Sequence, residues 1–553
     1  MMADSPPLLR SHWLANESEP MLDITLGGLL RQLASEVPDR TALVEATTVA
    51  AERRRWTYRQ LLDDAGRIAI ALLRRHEPGE RIAIWSPNCA EWVLLQHGAS
   101  LAGLVLVTIN PAYVSDEVRH VLQASGASAI FHADRYRGTD MTAVVAGLRD
   151  VLPGLRHSLA FSQLERFAAD GNAVSNSLPV VNPGDMIQIQ FTSGTTGRPK
   201  GACLHHRGVI NAARFAARRA EFPEGGVWAT AMPLFHVGGC AGSEIGAMSS
   251  RGTFVLQPAF DAPAMLEIIE SEHVNHLHAV PTMVLALLDH PDRSNRDLRS
   301  LRTLMSGGSP VLPSLVERAR RELNCRFSIT FGQTELNGVV SQTSPSDDAT
   351  RQTSSIGRPA PWAEVKIADP ATGAVKPLGE PGEVWARGYQ TMLGYFDSPE
   401  ATAATITAEK WLRTGDLASM DAWGYMQITG RLKDCIIRGG ENIYPREIED
   451  VLITHPQVRQ ACVVGAADAR WGEVVAAAIM CAPGGRPSTL DLHHYCRSRL
   501  APYKTPVLWF FVDQYPVTTS DKIQKYVLRE WIAQGRLVPE PFEKPIPGQI
   551  TPP

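Results

Sequence analysis

With 553 residues, of which 44% are hydrophobic and 20% charged, the chain has the balance of a globular protein and is too long for one ordinary core. Its formal net charge of -4 excludes the basic excess of a nucleic-acid footprint, and no nucleic-acid partner is expected. The longest apolar run, Gly98 to Ile109, stops at Asn110 and Pro111, well short of the roughly 18 to 20 residues that cross a bilayer, so no membrane span is expected either.

The first twenty residues hold no apolar core of the secretory kind, which makes the cytoplasm the expected compartment. Eight cysteines stand singly without CxxC spacing and indicate neither a metal knuckle nor a disulfide framework.

In chain order, near-helical apolar spacing over Thr57 to Arg75 is followed by a short strand, Arg81 to Trp85, which ends at Ser86, Pro87 and Asn88. The rhythm continues with a helix at Glu91 to Leu101, a strand at Leu104 to Ile109, a helix opened by Ser115 and Asp116, and an apolar run at Ser128 to His132. Such alternation predicts parallel sheets covered by helices. Further on, the pattern predicts a helix over Val209 to Ala220, a strand over Gly226 to Met232 with a turn from Pro233 to Gly239, and a helix over Ala264 to Glu272. Strands follow at His276 to Val280, Leu301 to Ser306 and Arg326 to Phe331, with a helix to about Leu323 before the last of them. Beyond Gly357 the texture becomes short strands at Glu364 to Ile367, Gly382 to Arg387 and Tyr425 to Thr429. A break falls at Gly430 to Lys433. After it, a helix (Pro445 to Thr454), two strands (Gln460 to Val464, Val474 to Met480), a helix (Thr489 to Leu500) and a strand (Leu508 to Val512) predict a small α+β domain. The proline-rich stretch from Pro539 to Pro553 is expected to be disordered.

The chemistry concentrates in a few segments. In FTSGTTGRPKG, Phe191 to Gly201, small and hydroxyl residues alternate, Gly194 and Gly197 permit tight turns, and Lys200 supplies a charge, as suits a loop folding over a polyphosphate. The P-loop template fails, because Pro199 and Gly201 stand where it needs a glycine and a hydroxyl. The loop also leads into apolar Ala202 to Leu204 instead of opening a helix, so a helix dipole is not the expected anchor. These residues alone would equally suit a Gly/Thr surface loop. TFGQTE, Thr330 to Glu335, ends a predicted strand, where open α/β sheets keep their ligands. There Phe331 can stack on a base, Thr334 can donate to a phosphate and Glu335 can hold Mg²⁺; an exposed turn is the competing reading. TGD (Thr414 to Asp416), GRLKD (Gly430 to Asp434), RGGENIYPREIE (Arg438 to Glu449) and TTSDKIQK (Thr518 to Lys525) complete the set.

In this order, and over nearly the whole chain, the segments resemble the adenylate-forming superfamily of acyl-CoA synthetases, aryl-CoA ligases, luciferases and peptide-synthetase adenylation domains. The resemblance implies an α/β protein: a large N-terminal domain of two α/β subdomains plus a β-rich one (1–432), a small mobile α+β C-terminal domain (433–538), and a tail (539–553). It implies ATP, Mg²⁺ and CoA, with a carboxylate attacking the α-phosphate and the CoA thiol then displacing AMP. By the same resemblance, Thr192, Ser193, Gly194, Thr195, Thr196 and Lys200 cradle phosphates, and Thr334 and Glu335 with Mg²⁺ offset charge at the α-phosphate. Gly308, Ser309, Phe331 and Gly332 border the adenine and acyl groups, while Asp416 and Arg431 hold the ribose. Lys522 serves the first step, Arg438, Gly439, Gly440 and Glu441 line the CoA path, and Lys433 is the hinge. Asp521 departs from the family pattern, which has glycine before the lysine; adenylation rate is what it bears on.

For the acid, Gly332 stands where similar short-chain synthetases carry a tryptophan, which implies an open acyl pocket. PLFHVGG (Pro233 to Gly239) lacks the aspartate of amino-acid-activating relatives and places His236 at the pocket mouth, as gate, carboxylate contact or packed histidine. INPAY (Ile109 to Tyr113) resembles medium- and long-chain fatty acyl-CoA synthetases, so a fatty acid of that range is the expected substrate. The rivals are an aromatic or alicyclic acid, transfer to a carrier protein instead of free CoA, and a nucleotide-binding regulatory protein without catalysis.

Overall fold

The protein is described from a computed structural model covering residues 7–47, 49–173, 178–192, 199–439, 441–517 and 523–541, with the backbone alone at 172, 173 and 442. The chain divides into two compact units. The larger comprises Met1–Lys366, Trp385–Thr414 and Met420–Gln427; the smaller comprises Ile367–Val384, Gly415–Ser419 and Ile428–Pro553.

Among the described residues, the larger unit holds a seven-stranded and a nine-stranded sheet. In the first, the strand Met186–Thr192 runs parallel to Val105–Ile109, which is parallel to Arg81–Trp85, then Ala129–His132 and His157–Ala160. At its other edge Lys200–His205 pairs antiparallel with Met186–Thr192 and with the short Gly394–Tyr395. In the second sheet Thr41–Glu45, Thr253–Leu256, Val227–Thr230, His276–His278, Thr303–Gly307 and Arg326–Gln333 are parallel neighbours, and Gly338–Gln342 turns back antiparallel to the last. Buried on both faces, these strands read as continuous apolar runs, such as Ile82, Ala83, Ile84 and Trp85, which is why the alternation with helices was visible along the chain.

One core packs the helices Ala262–Ser271, Pro281–Asp289 and Pro313–Glu322 onto the nine-stranded sheet through Leu266, Ile269, Val284, Leu287, Val316 and Phe327. Another packs Ser115–Ser125 and Met141–Val151 onto the seven-stranded sheet through Val118, Leu122, Val145 and Ile189. The helix Ala90–Leu101 is buried along its whole length, Gln96 and His97 included, and packs against Tyr58–Leu73, whose start is fixed by a capping box between Thr57 and Gln60. The expected helices and strands are present with ends shifted by a few residues. Helix Leu26–Glu36 and strand Met186–Thr192 are among the elements not foreseen: the first carries Leu26, Leu29, Leu30 and Leu33 at helical spacing but opens on the pair Gly27 and Gly28, and the second is hidden by its polar Gln188 and Gln190.

In the smaller unit, Val458–Asp468 and Gly472–Cys481 form a long antiparallel pair, Leu508–Phe511 adds parallel to it, and helices Pro445–Leu452 and Thr489–Arg497 cover one face through Ile448, Leu452, Leu492 and Trp509. This is the predicted helix, strand, strand, helix, strand order.

Candidate active site

The strands Met186–Thr192 and Lys200–His205 form an antiparallel pair that puts Thr192 opposite Lys200. A strand, not a helix, begins at Lys200, as the apolar sequel implied. Ser193, Gly194, Thr195 and Thr196 lie outside the described residues. The two bracketing residues reach Glu335 differently, Thr192 directly and Lys200 through the ring of Tyr395. Thr192 donates to Glu335 Oε1 at 3.1 Å, the Tyr395 hydroxyl donates to the same oxygen at 2.9 Å, and Lys200 Nζ sits 5.3 Å from the centroid of the Tyr395 ring. Burial, and the carboxylate beside it, push the Tyr395 phenol well above its ordinary pKa, so it stays protonated and a donor. Tyr395 was not among the residues expected from sequence. Its cue is weak, a tyrosine in a two-residue strand, and only the pairing of Ala202 with Tyr395 brings it to Glu335.

Glu335 is held in a single turn, Thr334–Leu336, at the carboxyl end of the strand Arg326–Gln333. Thr334 is buried and Glu335 partly so. Asn337 closes that turn in the left-handed conformation (φ 53°), where its short amide is tolerated. It accepts from His205 N at 3.2 Å and donates to Gln390 O at 3.0 Å. The backbone adds Met392 N to Glu335 O at 3.0 Å, and Gln333 Nε2 donates to Thr414 O at 2.8 Å. Gly307 pairs with Thr330, and a Cβ on it would stand 2.3 Å from the Thr330 carbonyl oxygen. Gly308 follows at φ 75° and is exposed, with Ser309 half-buried beside it. Phe331 is also half-buried.

Gly332 carries a backbone requirement of its own. At a register shift between the strands, a Cβ on this residue would meet the Gly338 carbonyl oxygen at 1.9 Å and Val339 Cα at 2.8 Å. Close backbone approach demands glycine here, whatever the acyl pocket needs.

His236 belongs to the turn after the strand Val227–Thr230. Asn88 holds that turn, donating to Met232 O at 3.1 Å and accepting from Leu234 N at 2.8 Å, while Thr108 donates to Phe235 O at 2.8 Å. Gly238 N donates to His236 Nδ1 at 3.2 Å. Gly239 has no room for a Cβ, which would lie 2.3 Å from Pro233 O; the chain then winds through a wide π turn, Gly238–Ser243. Behind it runs a buried polar row: Gln190 donates to Gln188 at 2.8 Å, Gln188 to Gln96 at 2.6 Å and Gln96 to Glu244 at 2.5 Å, and the other Glu244 oxygen lies 2.6 Å from His97 Nε2. These partners explain why polar residues are tolerated inside an otherwise apolar layer. Asn88 and Glu244 were missed as organisers of the turn, since both read as ordinary polar residues until the fold brings their partners in.

In the smaller unit Asp416 is buried and accepts from Arg431 Nε at 2.7 Å. Arg438 donates to Tyr503 O at 2.9 Å and pairs across a tight turn with exposed Glu441. Gly439, at φ 59°, occupies that turn, and a Cβ on it would meet the Trp471 ring at 2.8 Å. Lys433 is exposed in the turn Leu432–Asp434. Gly440, Asp521 and Lys522 lie outside the described residues. On either side of the latter pair, Val517 bridges to Ile523, and Lys525 binds Glu449 at 2.6 Å.

Mg²⁺ binds through one or two carboxylates plus substrate phosphates, not an all-protein cage. The donor set fits that chemistry: Glu335 stands beside the Thr192 hydroxyl, and no cluster of three or more acidic, histidine or cysteine ligands occurs among the described residues.

Residues 30–396 match the AMP-binding enzyme family, and residues 447–522 match the AMP-binding enzyme C-terminal domain. The chain belongs to the AMP-binding enzyme family. This AMP-binding enzyme is 37% identical over 541 residues to YngI of Bacillus subtilis (strain 168), covering 92% of this chain and 97% of the relative. It is 34% identical over 547 residues to the mitochondrial medium-chain acyl-CoA ligase ACSF2 of Mus musculus, covering 93% and 88%. Among solved structures, it is similar to the Mycobacterium tuberculosis fatty acyl CoA synthetase, with a TM-score of 0.75, 30% identity and coverage of 92% and 99%. ATP-bound MatB from Rhodopseudomonas palustris superposes with a TM-score of 0.83 at 27% identity, with the same coverage. The AMP-binding enzyme described here is therefore an AMP-forming acid–thiol ligase of the acyl-CoA synthetase class that uses ATP and CoA. The large N-terminal and smaller C-terminal parts match the expected α/β fold. Among the described residues no helix is long and apolar enough to cross a membrane.

Proposed function

We propose that this enzyme activates a medium- to long-chain fatty acid as its adenylate and passes the acyl group to CoA. The bonds of Thr192 and Tyr395 to Glu335, with Lys200 on the Tyr395 ring, carry the reading, because one side chain joins a cation to a carboxylate suited to a metal. The acid's carboxylate oxygen attacks the α-phosphorus, the bond from that phosphorus to the bridging oxygen breaks, and pyrophosphate leaves with the electron pair. The thiol of CoA then attacks the acyl carbon, loses its proton, and AMP leaves.

In the larger unit, Thr192, Lys200 and the segment 193–196 bind the departing phosphates, Thr334 and Glu335 serve the α-phosphate end, and Gly308, Ser309 and Phe331 border the base. Mg²⁺ bound at Glu335 would neutralise phosphate charge. In the smaller unit, Asp416 with Arg431 binds the ribose, Lys522 supplies the charge for adenylation, Arg438, Gly439, Gly440 and Glu441 flank the pantetheine arm, and Lys433 is the pivot between the half-reactions. His236 contacts the acid. No acidic residue occurs from Pro233 to Gly239 to hold an α-ammonium, and relatives named for medium-chain and fatty acyl substrates support the chain-length range.

The test is pyrophosphate release with ATP, Mg²⁺ and a panel from acetate to palmitate plus benzoate and cinnamate, with and without CoA. Medium to long fatty acids should drive release and yield thioester and AMP. Benzoate or cinnamate outrunning every fatty acid would overturn the substrate class, and adenylate without thioester would redirect the acyl group to a carrier protein.

A further inference from the structure

We infer that Tyr395 is a positioning residue for nucleotide binding: its hydroxyl orients Glu335 toward Mg²⁺ while its ring holds Lys200 ready for the polyphosphate. The inference rests on the site assignment proposed above and adds a residue that neither the motifs nor the family resemblance pointed to.

Two donors, Thr192 at 3.1 Å and Tyr395 at 2.9 Å, share the single oxygen Oε1 of Glu335, while Oε2 has no hydrogen-bond partner among the described residues. A carboxylate with one oxygen doubly engaged cannot spin freely, which matters because Mg²⁺ demands near-ideal octahedral geometry. Tyr395 is itself over-determined. Its strand pairs with the one that begins at Lys200, its amide donates to Thr402 Oγ1 at 2.9 Å, and the next amide, Phe396, donates to Gly201 O at 2.7 Å. The ring is therefore a fixed platform, and Lys200 Nζ 5.3 Å from its centroid makes a cation–π contact that holds the ammonium against the residue bonded to Glu335 while letting it move to phosphate. One side chain thus links the cationic and metal-binding ends of the site. A residue acting only in packing would lack that link.

The experiment is calorimetric titration of ATP into the whole protein, with Mg²⁺ and with EDTA, for wild type, Tyr395→Phe, Tyr395→Leu, Thr192→Val and Glu335→Gln. Tyr395→Phe keeps the ring and removes the hydroxyl. It should weaken ATP binding about tenfold with Mg²⁺, the worth of a hydrogen bond to a charged group, and leave binding in EDTA unchanged. Tyr395→Leu should also weaken binding in EDTA, since Lys200 loses its platform. Thr192→Val should reproduce the Mg²⁺-dependent loss of Tyr395→Phe. If Tyr395→Phe keeps the full Mg²⁺ increment while Glu335→Gln abolishes it, the inference about Tyr395 is wrong and the site assignment stands. If Glu335→Gln keeps the increment, the site assignment itself fails, and the Tyr395 inference with it.

Discussion

Asn337 offers the sharpest test of how the site is held. Replacing it with Ala removes both ends of its amide at once: His205 N loses its acceptor at 3.2 Å, and Gln390 O loses its donor at 3.0 Å. Both groups are buried, and an unsatisfied buried polar group costs about 1–3 kcal/mol. The residue also sits at φ 53°, where a Cβ without a compensating amide costs about 1–2 kcal/mol. The sum is roughly 3–8 kcal/mol for Asn337→Ala. Asn337→Gly loses the bonds but keeps the backbone freedom, so it should recover about 1 kcal/mol of that loss. Asn337→Asp keeps an acceptor for His205 N but sets a carboxylate oxygen against Gln390 O, and should fall between. In a large unit each kcal/mol moves the melting temperature by about 2–4 °C or less, so scanning calorimetry at one scan rate should register a drop of several degrees for Ala. ATP–pyrophosphate exchange should fall in the same order, because Glu335 lies two residues away in the same turn. An Ala variant that melts with wild type and exchanges at its rate would refute the reasoning.

Gly332→Ala is expected to lower the melting temperature through the 1.9 Å clash with Gly338 O, by an overpacking cost of about 1–3 kcal/mol, without changing acid preference. Gly332→Trp should destabilise in the same way instead of giving a clean switch to acetate, and an acetate-selective enzyme of wild-type stability would contradict this. Acid should destabilise the protein below pH 6.5. Burial lowers the pKa of His206 and His278 to about 4 and holds that of His276 well below its ordinary value, so the unfolded chain binds more protons in this range and stability is lost as pH falls from about 6.5 toward 4. Neither ring nitrogen of His276 has a hydrogen-bond partner among the described residues, and the ring lies 3.9 Å from Trp228, so His276→Leu should flatten the acid slope by up to about 1.4 kcal/mol per pH unit. An unchanged melting profile against pH would rule this out. Adenylate should form with Asp521 in place, and absence of adenylate with every acid, restored by Asp521→Gly, would show that this carboxylate disables Lys522.

The alternation of helices with short apolar strands was readable in the chain because strands such as Arg81–Trp85 and Val105–Ile109 are buried on both faces and carry no polar interruption. The phosphate segment and the Glu335 turn could also be read, since glycines, hydroxyls and single charges at strand ends are local features of local chemistry. Lys200 and Glu335 appeared as separate candidates for that reason. That they meet at Tyr395 was decided by tertiary structure alone: the Gly394–Tyr395 strand joins the sheet nearly two hundred residues after Lys200, a long-range pairing that leaves no periodic mark. Asn337 was not read as part of the site, because its partners His205 and Gln390 come from distant segments. Gly332 shows the same limit from the other side. The chain reports that a side chain is missing there, but only the approach of the Gly338 carbonyl shows that the backbone is what requires it.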